Sequence, residues 1–328
     1  MIPVRNRPQY LDHCLSSILR QAPGPSEMQI EVVDNSSADT SLEGVARAIG
    51  GGRLGYFRQP FELSMSQNWN TCVNRSRGEL VHILHDDDWV TPDFYESMRD
   101  LADRFVSAGM LAGRCYIVNA ADKVQSITSP LTWMQHVSND PRPNFGRNDL
   151  FAPAIVLRRK VYEDLGGFLP YRQPADYEMW MRALIFRGGV ANDAPVAYYR
   201  VWDASLSSEL QRDATNVLEI YDSGLRIQSY ANYLPLTALC SWCSSIAWHQ
   251  AVAFSRSNDD IGAEANLKIF WTFATLPRRA LAILKQIVRH HFRIGVFRRG
   301  ILRQTQLTQL MASDQCDGAD SSIKPRST

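Results

Sequence analysis

The first two hundred residues alternate short apolar runs with amphipathic helical patterns, an order that is typical of a layered α/β sheet. Strands are predicted at residues 1–4, 29–33, 54–57, 80–84, 110–118 and 151–157. From residue 211 onward the strand signals vanish, and helical patterns continue to about residue 303. In open α/β sheets ligands bind where strands end, so polar side chains at those points are the candidate site.

The charges of the chain are segregated along its length. The 35 Lys and Arg against 34 Asp and Glu leave a net charge of +1, which argues against a nucleic-acid binder. Nine of the basic residues and no acidic residue lie between residues 267 and 313, so the remainder is acidic. We predict three regions: a folded domain at 1–207, a helical region at 208–313, and a disordered tail at 314–328.

The basic segment 278–303 has an amphipathic pattern. Arg278, Lys285 and Arg289 lie near one helical face and apolar residues form another, which is typical of an element at an anionic membrane surface. A helix packed on the acidic body explains the pattern equally well. No uninterrupted apolar run is long enough to span a bilayer, and no secretory signal is visible. We therefore expect a cytoplasmic protein, peripheral at the inner face of the membrane if this segment binds lipid.

Three consecutive carboxylates, those of Asp86, Asp87 and Asp88, follow the fourth predicted strand. Two like charges about 4 Å apart repel by roughly 4 kcal/mol at an effective dielectric near 20. A divalent cation removes that cost, and carboxylates suit Mg²⁺ or Mn²⁺, whose coordination substrate phosphates complete. The alternative is a solvated acidic turn that caps the next helix. The position after a buried-looking strand favours a metal and diphosphate site.

Two further polar segments accompany the acidic triplet. Asp34 and Asn35 follow the second strand, where they can accept hydrogen bonds from a nucleoside or serve only an Asx turn. Asp176 stands in the first turn of a predicted helix, just after Pro174. The helix dipole favours the ionised carboxylate there, as a general base requires. The alternative for Asp176 is a helix cap with no other role.

Four motifs, in order, resemble those of the family 2 glycosyltransferases, which have the GT-A fold. They are residues 2–7, residues 32–39, the acidic segment 84–88 with Pro92, and Gly166-Gly167-Phe168 followed by residues 176–182. Asn68-Trp69-Asn70 is also similar to a segment of many members. The resemblance covers about residues 1–207. It implies a Rossmann-like mixed sheet flanked by helices, with an α-helical C-terminal extension.

The resemblance implies an inverting transfer of a hexosyl or related sugar from a nucleoside diphosphate of UDP or TDP type. The acceptor would be a hydroxyl of a saccharide or lipid-linked molecule, in cell-surface polysaccharide or glycolipid synthesis. Asp176 would be the catalytic base, and Mg²⁺ or Mn²⁺ would stabilise the departing diphosphate. The implied metal ligands are Asp87 and Asp88. The implied nucleotide contacts are Pro3, Arg5, Asp34, Asn35, Asn68, Asp86 and Asp87.

The sequence departs from the family pattern at several places. His85 stands where many members have the first Asp of the acidic motif, Ala175 replaces the acid before the base, and Trp202 stands where members often have a His. The family's first strand normally begins several residues earlier, so we expect Met1 to be a mis-assigned start or a truncation. Two alternatives stay open: another metal-dependent phosphate-site enzyme, such as a nucleotidyltransferase, and a catalytically inactive relative that binds nucleotide sugars.

Overall fold

The computed structural model of the protein describes residues 1–39, 41–202 and 210–275. The chain divides into two compact units, one of residues 1–210 and 215–243, the other of residues 211–214 with those from 244 onward. All strands of the described residues belong to the first unit. The predicted boundary at residue 207, the basic segment 278–303 and the predicted tail 314–328 lie outside the described residues.

The first sheet has three parallel strands in the order β1-β2-β3. They are β1 (Ile2–Val4), β2 (Glu31–Asp34) and β3 (Gly55–Arg58). All four residues of β2, the middle strand, are buried, because strands in parallel sheets are covered on both faces. The core of this region continues into helix α1, which begins at Pro8 as predicted and buries Leu11, Leu15 and Ile18.

The second sheet is mixed and has six strands, in the order β4-β8-β6-β9-β5 with β7 paired to β6. They are β4 (Leu80–His82), β5 (Trp89–Val90), β6 (Met110–Val118), β7 (Val124–Ile127), β8 (Ile155–Arg158) and β9 (Gly189–Arg200). The long central strands β6 and β9 run parallel, and the other pairs are antiparallel. The register of the β6–β9 pair shifts at Gly113. A side chain would not fit at this position, because a Cβ would lie 2.3 Å from Cγ2 of Val196.

Nine α-helices are seen within the described residues. They are α1 (Pro8–Leu19), α2 (Leu42–Gly50), α3 (Met65–Arg75), α4 (Phe94–Arg104), α5 (Arg159–Leu165), α6 (Ala175–Arg187), α7 (Thr215–Tyr230), α8 (Leu236–Arg256) and α9 (Asp260–Phe273). Helix α6 begins directly after Pro174, as the sequence predicts. None of the described helices is both long enough and apolar enough to span a membrane.

Backbone hydrogen bonds of Met1 join the two sheets. The amino group of Met1 donates to the carbonyl of His82 at 2.9 Å, and the N–H of Leu84 donates to the carbonyl of Met1 at 3.1 Å. One residue that bonds to two alternate residues of its neighbour is the pattern of parallel strands. The chain segments that follow β1, β2 and β4 therefore leave the sheets at the same edge.

Two expectations about secondary structure are wrong. The polar, proline-containing stretch 120–148 predicts a loop, but it includes strand β7, whose four residues are all exposed. An exposed edge strand has no buried face, so it lacks the apolar alternation that would have indicated it. Thr91 and Pro92 predict a helix that begins at Pro92, but helix α4 begins two residues later, at Phe94, with Asp93 as its N-cap. Asp93 has a φ of 62°, so the chain turns sharply before the helix.

Candidate active site

The acidic triplet lies on the tight turn between β4 and β5, where the N–H of Asp88 donates to the carbonyl of His85 at 3.2 Å. The side chains of Asp86 and Asp88 are buried. Burial raises the pKa of both carboxyl groups, and the nearby positive charge of Arg7 lowers it in part. Negative charge in this turn is therefore costly unless cations lie against it.

Arg7, from the segment after β1, is one such cation. Its guanidinium contacts both carboxylate oxygens of Asp86, with Nε 3.1 Å from Oδ2 and Nη2 against Oδ1. Its Nη1 also donates to Oδ2 of Asp87 at 2.6 Å. A bidentate pair of this kind is among the stronger charge-assisted interactions. Arg7 thus neutralises Asp86 and orients Asp87.

Trp202 is the second donor to Asp87. Its indole Nε1 donates to Oδ2 of Asp87 at 3.1 Å, so this residue contacts the acidic turn even though it cannot ligate a metal. Trp202 also lies under the guanidinium of Arg7, whose Cζ is 5.9 Å from the ring centroid. Both protein donors contact Oδ2 of Asp87, which leaves Oδ1 for a cation or a substrate group.

The rest of the turn offers donor atoms that the protein does not use. Oδ1 of Asp88 accepts from the backbone N–H of Arg200 at 2.9 Å. Oδ2 of Asp88 and Nε2 of His85 are buried and have no hydrogen-bond partner in the described part of the chain. One donor atom each from His85, Asp87 and Asp88 lie within 4.8 Å of one another. Buried polar atoms are normally paired, so this donor set fits a divalent cation that accepts carboxylate and imidazole ligands.

Asp34, at the end of β2, is buried and hydrogen-bonded only to its own chain in the described residues. Its Oδ1 accepts from the N–H and the hydroxyl of Ser37, at 2.9 and 2.5 Å. Its Oδ2 accepts from the hydroxyl of Tyr56 at 2.8 Å and from Arg58 at 3.3 Å. These four donors match the acceptor capacity of a carboxylate. Asp34 therefore shapes the loop, and a nucleoside contact to it would have to displace Tyr56 or Arg58.

A cavity of about 540 Å³ opens beside these loops, a size in the usual range for small-molecule sites. Four of the predicted nucleotide contacts line it: Pro3, Arg5, Asn35 and Asn68. The other three, Asp34, Asp86 and Asp87, are not among its lining residues. Two residues that contact Asp87 do line it, namely Arg7 and Trp202. The acidic turn thus borders the cavity through these two partners.

Most of the predicted nucleotide contacts have roles within the protein. The side-chain amide of Asn35 donates to and accepts from the backbone of Leu63, at 2.8 and 2.9 Å. Asn68 is buried and donates to the carbonyl of Val33 at 3.3 Å. Arg5 pairs with Glu62 at 2.5 Å on an exposed rim. Asn35 and Asn68 therefore fix the wall of the cavity, whereas Arg5 is accessible from its mouth.

Asp176 is partly buried in the first turn of α6, and its Oδ1 accepts from the N–H of Tyr177 at 2.7 Å. Burial raises the pKa of Asp176 to about 6. The carboxylate is thus ionised at neutral pH but is a stronger base than an exposed aspartate. Both properties suit a general base that works near pH 7.

The Gly166-Gly167-Phe168 motif connects α5 to α6 and explains its own composition. Gly166 has a φ of +81°, a left-handed conformation that ends α5. A Cβ on Gly167 would lie 2.1 Å from Oδ1 of Asn70. The bare glycine lets the Asn70 amide donate to the carbonyl of Phe168 at 2.9 Å and accept from its N–H at 2.8 Å. The motif therefore ties helix α3 to the start of α6.

A chain of aromatic rings links the acidic turn to α6. Trp69 stacks on His85, with ring centroids 4.9 Å apart, and meets Phe168 edge-on at 5.1 Å. Phe168 in turn packs on Trp180 of α6 at 5.7 Å. Within α6, Arg182 and Glu178 form a buried ion pair at 2.9 Å, and Arg182 also donates to the backbone carbonyls of Leu165 and Gly167. The helix that carries Asp176 is thus rigidly joined to the turn.

Tyr199, near the end of β9, connects the two halves of the site electrostatically. Burial raises the pKa of Tyr199, and the negative charges of Asp88, Asp176 and Asp87 raise it further. The three carboxylates are therefore close enough to act on the charge of one hydroxyl group. The sequence alone gives no role to Tyr199 or Arg7, because each acts on residues far away along the chain. The signals that could have indicated them are the first motif, residues 2–7, which includes Arg7, and the position of Tyr199 near the end of a strand.

Together, the mixed sheet, the acidic turn at its edge and the carboxylate of α6 define a glycosyltransferase with the GT-A fold. The family model described as glycosyl transferase family 2 matches residues 1–166, half of the chain. The chain belongs to glycosyl transferase family 2.

The chain is also 27% identical, over 203 residues, to an uncharacterized protein of Mycobacterium tuberculosis (strain CDC 1551 / Oshkosh). That alignment covers 56% of this chain and 60% of the relative, so the chain spans only about 60% of the relative's length.

Two solved structures share the fold. One is the crystal structure of S. aureus TarS 1–349 in complex with UDP-GlcNAc, with a TM-score of 0.54, 15% identity, and coverage of 83% of this chain and 90% of that chain. The other is the mannosyltransferase PcManGT from Pyrobaculum calidifontis in complex with GDP-Man and Mn²⁺. Its TM-score is 0.53 at 16% identity, and the match covers 98% of this chain and 86% of that chain. At such low identity the likeness concerns the fold alone, and it confirms the predicted fold class.

Proposed function

We propose that this glycosyltransferase is a metal-dependent, inverting enzyme that moves a sugar from a nucleoside diphosphate to an acceptor hydroxyl. The observation that carries the proposal is the chain of packed rings, from Trp69 through Phe168 to Trp180, that connects the acidic turn to the helix carrying Asp176. A transferase that inverts the sugar needs a base at the acceptor and a cation at the leaving group. Asp176 has the environment of a base, and the carboxylates of the acidic turn have the environment of a cation site.

Asp176 is proposed as the base. Its raised pKa, its ionised form at neutral pH and its place at the positive end of α6 fit removal of a proton from the attacking hydroxyl. The acceptor oxygen would then attack the anomeric carbon from the face opposite the diphosphate, which inverts the configuration. The rigid connection through Phe168 and Trp180 holds the base in place during that attack.

Asp87 and Asp88 are proposed as metal ligands, and a bound Mg²⁺ or Mn²⁺ would act as a Lewis acid on the departing diphosphate. Arg7 and Trp202 line the cavity, and both donate hydrogen bonds to Oδ2 of Asp87 and so fix the orientation of its carboxylate. Asp86 is proposed to act through Arg7, since that pair is buried and bidentate.

The donor is proposed to be a nucleoside-diphosphate sugar of UDP or TDP type that occupies the cavity between Pro3, Arg5, Asn35 and Asn68. Structural neighbours bind UDP-GlcNAc and GDP-Man, which supports a donor of this chemical class. For the acceptor we propose a saccharide or lipid-linked sugar, used in cell-surface polysaccharide or glycolipid synthesis. Tyr171 and Arg172 also line the cavity. Among its lining residues, they lie closest in sequence to the start of α6.

A screen of nucleotide sugars by donor hydrolysis, with and without Mn²⁺, tests the function. The expected result is metal-dependent release of a nucleoside diphosphate and a free sugar from one of the donors. Release of pyrophosphate from a nucleoside triphosphate incubated with a sugar 1-phosphate would instead identify a nucleotidyltransferase. Absence of both products, together with metal-dependent binding of UDP or TDP in calorimetry, would identify an inactive binding relative.

We also propose that the basic segment 278–303 holds the enzyme at an anionic membrane surface, where lipid-linked acceptors are found. Each basic residue near such a surface contributes about 1 kcal/mol. Co-sedimentation of the full chain with phosphatidylserine vesicles tests this, against a variant with Arg278, Lys285, Arg289 and Arg293 all replaced by Gln. Loss of binding in the variant is expected, and equal binding of both proteins would contradict the proposal.

A further inference from the structure

We propose that His85 is a ligand of the divalent cation at the acidic turn, and that its imidazole gives the site a preference for Mn²⁺ over Mg²⁺. The inference rests on the proposed metal-dependent function of the same turn. It adds a third ligand and a metal selectivity to that function.

The burial and the stacking of the His85 ring support its role as a ligand. Its side chain is only 20% exposed, and neither ring nitrogen has a hydrogen-bond partner in the described part of the chain; Nε2 is fully buried. Stacking on Trp69, at a centroid distance of 4.9 Å and an interplanar angle of 19°, fixes the plane of the ring. Nδ1, the nitrogen that faces Asp88, is thus held in place beside the carboxylates and has no hydrogen bond within the described residues to give up, as a metal ligand requires.

The distance from His85 to Asp88 also fits two ligands of one ion. Nδ1 of His85 lies 3.7 Å from Oδ2 of Asp88, which is too long for a hydrogen bond. Two ligands that share one ion with bonds of about 2.1 Å lie roughly 3.0 to 4.2 Å apart, depending on the angle between them. The observed separation is within that range. Oδ2 of Asp88 is itself buried and unpartnered, with the residue 2% exposed.

The charges of the acidic turn also match one divalent cation. Arg7 neutralises Asp86 through two contacts, so two carboxylates remain in the turn, those of Asp87 and Asp88. Their two negative charges match one divalent cation, and a neutral imidazole completes the set without adding charge. Oxygen ligands suit Mg²⁺, which also keeps its waters, whereas imidazole suits transition metals. A set of two carboxylates and one imidazole therefore favours Mn²⁺.

Pulsed electron paramagnetic resonance of the full chain tests the ligand directly, with MnCl₂ alone and with MnCl₂ plus UDP. The wild type should show echo modulation from a directly bonded ¹⁴N nucleus. His85→Phe keeps a ring to stack on Trp69 but has no nitrogen, so it should lose this modulation and bind Mn²⁺ at least about tenfold more weakly. His136→Asn is the matched control, because His136 is exposed and lies outside the turn; it should behave as the wild type.

Calorimetry with MnCl₂ and MgCl₂ tests the selectivity. His85→Asp replaces the imidazole by an oxygen ligand and should lower the ratio of Mn²⁺ to Mg²⁺ affinity about tenfold or more. Bound Mn²⁺ without ¹⁴N modulation in the wild type, or wild-type affinity and selectivity in His85→Phe, would overturn the role of His85. If sugar transfer remains metal-dependent in that case, the proposed function stands without it. Absence of Mn²⁺ binding in both states would overturn the metal site as a whole.

Discussion

At the scale of single residues, Arg7 determines what the neighbouring carboxylates can do. It covers both oxygens of Asp86 and one oxygen of Asp87. The side chain of Asp86 is fully buried, while that of Arg7 is 29% exposed. A buried carboxylate with a bidentate partner is unavailable to substrate, so Asp86 is a structural member of the turn. In the proposed function, Asp87 and Asp88 are then left for the cation.

Removal of Arg7 should therefore destabilise the fold. In Arg7→Gln the buried carboxylate of Asp86 loses its charged partner, and we expect the free energy of unfolding in urea to fall by about 3 kcal/mol. Arg47→Gln is the control, since Arg47 forms an exposed pair with Glu43 at 2.7 Å and should cost less than about 0.5 kcal/mol. Equal stability of the two variants would show that Arg7 does not compensate Asp86.

The raised pKa of Asp176 leads to a prediction about pH. A base must be deprotonated to act, and burial raises the pKa of this carboxyl to about 6. The value of kcat/KM should therefore be constant near pH 7.5 and fall about tenfold for each pH unit below 6. An exposed aspartate would place this fall near pH 4. A profile that stays flat down to pH 5 would show that Asp176 is not the base.

At the scale of elements, helix α7 holds the segment that leads into α6. The carboxylate of Glu219 accepts from the N–H groups of Arg172 and Gln173, at 2.9 and 3.0 Å. Asp222 of the same helix accepts from the hydroxyl of Tyr171 at 2.8 Å. Since Tyr171 and Arg172 line the cavity, α7 positions one wall of the cavity as well as the start of α6.

Glu219→Ala should loosen this segment. Each hydrogen bond to a charged group contributes about 1.5 to 3 kcal/mol, so amide exchange at Arg172 and Gln173 should accelerate at least about tenfold, and sugar transfer should slow. Glu163→Ala is the control, because Glu163 is an exposed residue of α5. Unchanged exchange at both amides in Glu219→Ala would contradict the role assigned to α7.

Elements and site residues differed in how far the sequence could predict them. Strand β6 was predicted at its observed bounds, because a continuous apolar run is a local signal. The acidic turn and the start of α6 were also visible, since their residues are adjacent in the chain. The exposed strand β7 and the short strand β5 lack a buried pattern of their own, and only pairing with β6 and β9 defines them.

At the scale of the whole molecule, the contacts that complete the site join distant parts of the chain. Arg7 is 79 residues from Asp86, Asn70 is 98 from Phe168, and Trp202 is 115 from Asp87. No local pattern reports such pairs. For this reason the sequence shows Trp202 only as the replacement of a His that could ligate a metal, although the indole of Trp202 donates to Asp87. The charge of Asp34 was visible, but its four protein donors were not.

The central claim is that Asp176 is the base of a sugar transfer whose donor binds elsewhere in the same site. Asp176→Asn removes the base without removing any residue that lines the cavity. Its matched control is Asp164→Asn, since Asp164 pairs with Lys160 and Arg187 at the surface. The measurement is the rate of nucleoside diphosphate release with acceptor, together with the calorimetric affinity for the donor found in the screen. We predict a loss of about 10² to 10⁴ in rate for Asp176→Asn with unchanged donor affinity, and wild-type behaviour for Asp164→Asn. Full activity in Asp176→Asn would contradict the account.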